Sequence, residues 1–163
     1  MTTETVRSDH HHHHPHPHHH PHHHLAITTF VSRFFRSLDV GKIDEAWARE
    51  YFTEDVRERT PIGDSEGRDA VLRHTVEALG RFARTQHMAT DVVSEVTEGG
   101  AAAVVSCNAL MTHVHHDGTV FTVGGHCRSE LRRTPDGWRI RDTAVEVIWT
   151  QGRPPAGVGG QAE

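Results

Sequence analysis

Four stretches, at about residues 85 to 97, 101 to 115, 119 to 133 and 138 to 149, carry β-branched and apolar residues in strand-like runs. Only Glu98-Gly99-Gly100, Asp117-Gly118 and Pro135-Asp136-Gly137 mark the breaks between them. Connections this short join antiparallel neighbours, so this part of the chain is a meander. The helical signals all come earlier. Ile27, Phe30, Val31, Phe34 and Leu38 recur at helical spacing, and Asp39-Val40-Gly41-Lys42 is a turn. Ile43, Ala46, Trp47 and Tyr51 continue as a short second helix, which makes a helical hairpin. Residues 53 to 60 read as a strand, Pro61-Ile62-Gly63-Asp64 as a loop, and Gly67 opens a third helix through Val71, Leu72, Thr75, Val76, Leu79 and Phe82. Helices followed by a long antiparallel meander imply an α+β fold, with a strongly curved sheet wrapped around the hairpin and the third helix.

Residues 10 to 24 alternate histidine blocks with Pro15, Pro17 and Pro21 and offer no apolar surface. The expected division is a disordered tail over 1–24, one domain over 25–150 and a flexible Pro- and Gly-containing tail over 151–163. Exposed imidazoles at His10, His11, His12, His13 and His14 are expected to take up metal adventitiously, with no metal site in the domain itself. The formal charge of -5 leaves no basic stripe for a phosphate backbone, which argues against nucleic acid. No apolar run reaches the roughly 18 residues of a membrane-spanning helix, so a soluble, cytoplasmic protein with no membrane partner is expected.

A two-residue turn at Asp117-Gly118 pairs His116 with Thr119, Ala109 with His126 and Cys107 with Arg128. Because side chains alternate along a strand, His113, Ala109, Cys107, Thr122, His126 and Arg128 then share one face. In that register Cys107 and Cys127 point to opposite faces and read as separate reduced thiols. Asp142 and Glu146 on the last strand reach either the interior or solvent, according to the bulge at the preceding turn.

Leu38-Asp39-Val40-Gly41-Lys42-Ile43-Asp44 with Trp47, then Tyr51-Phe52-Thr53-Glu54-Asp55-Val56, Gly67-Arg68-Asp69-Ala70-Val71, and Asp136-Gly137-Trp138-Arg139-Ile140 leading to Trp149, together resemble the nuclear transport factor 2-like or SnoaL-like superfamily over about residues 25 to 150. The resemblance implies a cone of curved sheet capped by three helices, with one pocket inside. Within the superfamily the chain is most similar to scytalone dehydratase-like and polyketide cyclase-like members, which need no cofactor. Arg84-Thr85-Gln86-His87 matches the strand that carries one catalytic histidine in scytalone dehydratases, and Met111-Thr112-His113 falls where the second lies. Asp39 occupies the position of the hairpin aspartate, and His126 and Arg128 that of a pocket serine and asparagine. The pocket tyrosines of that family are unmatched: Leu38 stands beside Asp39, and Arg57, Glu58 and Arg59 contain none.

The expected function is a cofactor-independent dehydratase, cyclase or isomerase acting on a hydrophobic, polyketide-like or polycyclic ketone or enol. His87, Asp39 and His113 are the expected catalytic groups, and His126, Arg128, Trp47, Tyr51 and Phe34 the substrate-binding ones. Imidazole suits this work because it exchanges a proton near neutral pH. Asp39 has a second reading, as a cap of the turn between the helices. Rival readings are a non-catalytic ligand-binding or dimerisation module, and a zinc site built from His87, His113 and His126. A homo-oligomer is expected, a dimer before a trimer, because the outer face of a curved sheet needs cover.

Overall fold

The protein is described by a computed structural model covering residues 21–156. The expected disorder of residues 1–20 and the last part of the expected tail, 157–163, lie outside the described residues. Helix α1 spans Pro21–Val40, α2 Glu45–Tyr51 and α3 Arg68–Gly80. The strands are β1 (Phe52–Thr60), β2 (Gly63–Glu66), β3 (Arg84–Val96), β4 (Ala102–Val114), β5 (Val120–Thr134) and β6 (Gly137–Gln151).

Helix α1 begins four residues before the expected start at Leu25, so the end of the histidine tract belongs to the fold. Proline is well suited to a first helical position, where its missing N–H has no partner to lose. The next turn is tied down: His24 Nδ1 lies 2.7 Å from Ser94 Oγ, and the His23 ring meets Trp138 edge-on. Ile27, Val31 and Phe35, spaced four apart, are buried against the sheet. The helix ends where the Gly41 N–H bonds the Ser37 carbonyl at 2.9 Å. A β-carbon at Gly41 would sit 2.5 Å from that oxygen, so only glycine allows this approach. Helix α2 starts on Asp44, whose carboxylate accepts from the Ala46 and Trp47 amides. The cap of the hairpin is therefore Asp44, which leaves Asp39 free for another role.

The sheet order is β2-β1-β6-β5-β4-β3. Strands β3 to β6 form the expected antiparallel meander. The sheet as a whole is mixed, because β1 runs parallel to β6, with Arg57 opposite Asp142. The expected loop at 61–64 is instead the tip of a small hairpin in which Thr60 pairs with Gly63. Register shifts between Thr90 and Val93, Gly124 and Gly125, and Glu130 and Leu131 bend the long strands. The concave face thus curls around α1 and α3, with Val56, Val71, Leu131 and Ile140 in the core between them. Beyond β6, Arg153 is bonded to Asp117 at 2.7 Å, so the segment after residue 151 starts as an anchored stretch. Among the described residues no helix is long and apolar enough to cross a membrane.

Candidate active site

Between α1, α3 and the concave face lies a cavity of about 170 Å³. Its walls are mainly apolar, with Phe30, Phe34 and Leu38 from α1, Leu79 from α3 and Met111, Val145 and Ile140 from the sheet. Only a few polar side chains interrupt them: His87, Glu58, His74, Ser129 and the threonines 60, 75 and 143. An apolar chamber with a small number of fixed polar groups is the usual form of a small-molecule site.

His87 stands on β3 with its ring fixed by Asp39. The last turn of α1 carries Asp39 against β3, where its carboxylate accepts three hydrogen bonds. They come from the His87 amide at 2.7 Å, from the His87 ring Nδ1 at 2.6 Å and from Thr85 Oγ1 at 2.9 Å. Burial alone would raise the pKa of Asp39, but the amide, ring and hydroxyl donors outweigh it and hold the carboxyl below its ordinary value. An ionised Asp39 assigns the proton of neutral His87 to Nδ1, which leaves Nε2 with its lone pair. Nε2 has no partner among the described residues and is not sealed from the cavity. This is the orientation a general base requires.

His113 shares the face of His87 but lies behind it. The two rings meet edge-on at 5.5 Å between centroids, and Phe82 and Phe121 flank His113 at 4.5 and 5.9 Å. Its Nδ1 is buried without a hydrogen-bond partner among the described residues. Burial, and then the neighbouring His87, lower its pKa to about 4, against the weaker opposing pull of Phe121 and Asp39. His113 is therefore neutral at physiological pH, and it packs against His87 instead of lining the cavity.

The other expected site residues are displaced by one register step. The hairpin between β4 and β5 closes with His115 N–H to the Thr119 carbonyl and Gly118 N–H to the His115 carbonyl. Its loop has three residues, with Gly118 at φ 83° as the left-handed member, where a two-residue loop was expected. One extra residue pairs His113 with Phe121, Asn108 with His126 and Ser106 with Arg128. Because the side-chain period is two, this turns His126 and Arg128 to the outer face and brings Cys127 to the inner one. Cys107 and Cys127 stand directly opposite each other, buried, unlinked and both on the cavity wall. The sulfur of Cys107 and then burial push the Cys127 thiol well above its usual pKa. A site joining His87, His113 and His126 is excluded because the third histidine lies on the other side of the sheet. Among the described residues no group of three metal-ligating side chains is found.

Of the expected aromatic contacts, Phe34 lines the cavity. Trp47 and Tyr51 do not, since they pack behind Phe34 within the helical hairpin. Trp47 Nε1 donates to Ser37 Oγ at 2.8 Å and the Tyr51 hydroxyl to the Arg33 carbonyl at 3.3 Å. Asp142 is held outside the cavity by Arg59, and Glu146 is exposed.

The sequence reading missed Glu58 and His74. Glu58 Oε2 lies 3.0 Å from His74 Nδ1, which also meets Ser65 Oγ at 3.2 Å. Burial pushes the Glu58 pKa up, with His74 partly offsetting it. A signal for each existed. Glu58 follows fully buried Val56 by two positions on a strand, and His74 follows buried Val71 by three on a helix. Both therefore occupy inward positions. Ser129 and Thr143, bonded to each other at 2.8 Å, complete the polar wall and were also missed.

The SnoaL-like domain model matches residues 19–144. A candidate scytalone dehydratase from Novosphingobium aromaticivorans superposes with a TM-score of 0.71 at 20% identity, covering 85% of this chain and 94% of that one. A nuclear transport factor 2-like superfamily protein from Salmonella enterica gives 0.70 at 20% identity, covering 86% and 99%. A type 2 hexachlorocyclohexane dehydrochlorinase, LinA, gives 0.68 at 15% identity, covering 82% and 93%. A search of curated proteins finds no match to the sequence. At these identities the structural likenesses establish the fold, while the domain match spans most of the chain: the protein belongs to the SnoaL-like family.

Proposed function

We propose that this protein is a cofactor-independent acid–base enzyme of the lyase or isomerase type, acting on a small apolar ketone or enol. The observation that carries the reading is the Asp39–His87 pair, which fixes Nδ1 and leaves Nε2 open to a mainly apolar cavity. In the first step Nε2 takes a proton from the carbon next to the carbonyl, and Asp39 stabilises the imidazolium that results. The negative charge then resides on the carbonyl oxygen as an enolate. In the Ser129–Thr143 pair on the same cavity wall one hydroxyl donates to the other, which leaves one O–H suited to receive it. His87 next returns the proton, either to a different carbon, which is isomerisation, or to a departing hydroxyl, which is dehydration. Cyclisation shares the enolate and directs it to an internal electrophile. Similarity to a candidate scytalone dehydratase and to a dehydrochlorinase supports a lyase in this range.

The cavity volume narrows the substrate. A space of about 170 Å³ is close to that known to hold a single aromatic ring and lies below the range for drug-sized ligands. One ring or two fused rings fit this reading better than an extended polycycle. The test is α-proton exchange of small aryl ketones in D₂O, followed by NMR with the full chain and with His87→Gln. Catalysed exchange that disappears in the variant is expected. Exchange at the buffer rate across the series, or equal exchange by both proteins, would overturn the reading.

The proposed assembly is a homodimer. Val120, Ile148 and Trp149 leave 48, 67 and 47% of their surface exposed around the end of β6, a cost to a monomer that a second copy would remove.

A further inference from the structure

The Glu58–His74 pair faces the same cavity from the opposite flank of the sheet. Glu58 stands on β1 and His87 on β3, and β6, β5 and β4 lie between those two strands. Both residues nevertheless line the one cavity, because the sheet curls around it. The pair is assembled from three separate elements: Glu58 from β1, Ser65 from β2 and His74 from α3. Its side chains are mostly buried, at 15% exposure for Glu58 and 20% for His74. Placing an ionisable pair in such a setting is costly unless all its groups are used. Glu58 Oε2 is taken by His74, while Oε1 has no partner among the described residues and is not sealed off. One acceptor oxygen is thus left open, at a place separate from the Asp39–His87 pair.

We infer that Glu58, held by His74 and Ser65, is a second polar anchor of the cavity that accepts a hydrogen bond from a hydroxyl on the side of the substrate remote from its reacting carbonyl. The substrate class becomes a hydroxylated aryl ketone or its enol, polar at two ends and apolar between them. The inference rests on the acid–base reading only for which end reacts. Hydrogen-bonding to a fixed, partly desolvated acceptor discriminates strongly, because a ligand without the donor leaves that acceptor unpaired. A hydroxyl at the correct end should therefore raise affinity about tenfold.

The probes are 6-hydroxy-1-tetralone and 1-tetralone, which differ by one remote hydroxyl, titrated into the full chain by calorimetry. The wild-type protein should bind the hydroxylated ketone about tenfold more tightly. Glu58→Leu should abolish that preference. Glu58→Gln, which keeps the volume and removes the charge, should cut it to about threefold or less, and His87→Gln should leave it intact. Thermal melts identify any variant that has failed to fold, and the conservative Glu58→Gln keeps the test decisive if Glu58→Leu does. The inference is overturned if the wild type shows no preference, if it binds neither probe at millimolar concentration, or if folded Glu58 variants keep the full preference. Exchange of the α-protons of 1-tetralone reports separately on His87. Exchange without a hydroxyl preference removes the anchor and spares the enzyme, whereas a Glu58-dependent preference without exchange does the reverse.

Discussion

Asp39 grips His87 twice, accepting from its backbone amide at 2.7 Å and from its ring Nδ1 at 2.6 Å, across 48 positions of sequence. The amide bond fixes the strand relative to the end of α1, and the ring bond fixes the tautomer. Position and tautomer of one imidazole thus depend on one carboxylate. His87→Gln should lower turnover of an aryl ketone by about 10² to 10⁴ and leave the melting temperature within a few degrees. Asp39→Asn should lose a similar factor, since an amide cannot stabilise the imidazolium, and should also melt earlier because two further donors lose an ionised acceptor. Full activity in either variant, measured in steady-state kinetics, would contradict the assignment.

His113 gives a stability that depends on pH. Its pKa is about 4 in the folded protein and about 6.5 when unfolded. Between these values the unfolded chain binds more protons, so the stabilising contribution is complete above about pH 6.5 and is lost as pH falls toward 4. The ionisable groups facing it are His87, Asp39 and His115. Asp39, with its pKa below the ordinary carboxylate value, contributes stability that disappears only at lower pH, so the two effects separate. His113→Phe should reduce the loss of melting temperature between pH 7 and pH 5 by a few degrees, because a ring is kept and an unpaired buried nitrogen is removed. An unchanged pH dependence in differential scanning calorimetry would show that His113 does not titrate in this window.

Gly118 fixes which residues meet the cavity. Its φ of 83° is left-handed, and a side chain there costs about 1 kcal/mol. Gly118→Ala should lower stability by about this amount in chemical denaturation, and Gly118→Val by more. A neutral result for both would mean that the hairpin can adopt another loop.

Truncation should separate the two parts of the histidine tract. Removing residues 1–20 spares every contact described for α1 and should leave melting in metal-free buffer unchanged. Removing residues 1–24 deletes the His24 bond to Ser94 and the His23 contact with Trp138, and should lower the melting temperature by several degrees. Equal melting of the two truncations would show that the first turn of α1 contributes nothing.

The proposed dimer has a direct check. Light scattering at micromolar concentration should report twice the chain mass for the wild type. Trp149→Asp, placing a charge on the exposed end of β6, should give a monomer. A monomeric wild-type protein would remove the dimer.

Local signals in the sequence were sufficient for most of the architecture. The helical spacing of Ile27, Phe30, Val31, Phe34 and Leu38 specified α1, and the short breaks near Gly99, Asp117 and Asp136 specified the antiparallel meander, because helical period and turn chemistry act over a few residues. The candidate base was legible too: His87 and Asp39 were singled out by their resemblance to a family motif. What local signals could not specify was which residues faced one another. Asp117-Gly118 fits a two-residue turn as well as a three-residue one, and that single step exchanged His126 and Arg128 for Cys127 and Ser129 on the cavity wall. Register is a property of paired strands, decided by which alternation buries more apolar surface across the whole sheet. The meeting of Glu58 with His74 depended equally on tertiary structure, since it required a parallel pairing of β1 with β6 and the docking of α3 above it. The sequence by itself thus determined the elements and one candidate pair, Asp39 and His87. Only the curling of the sheet determined that a second pair would share its cavity.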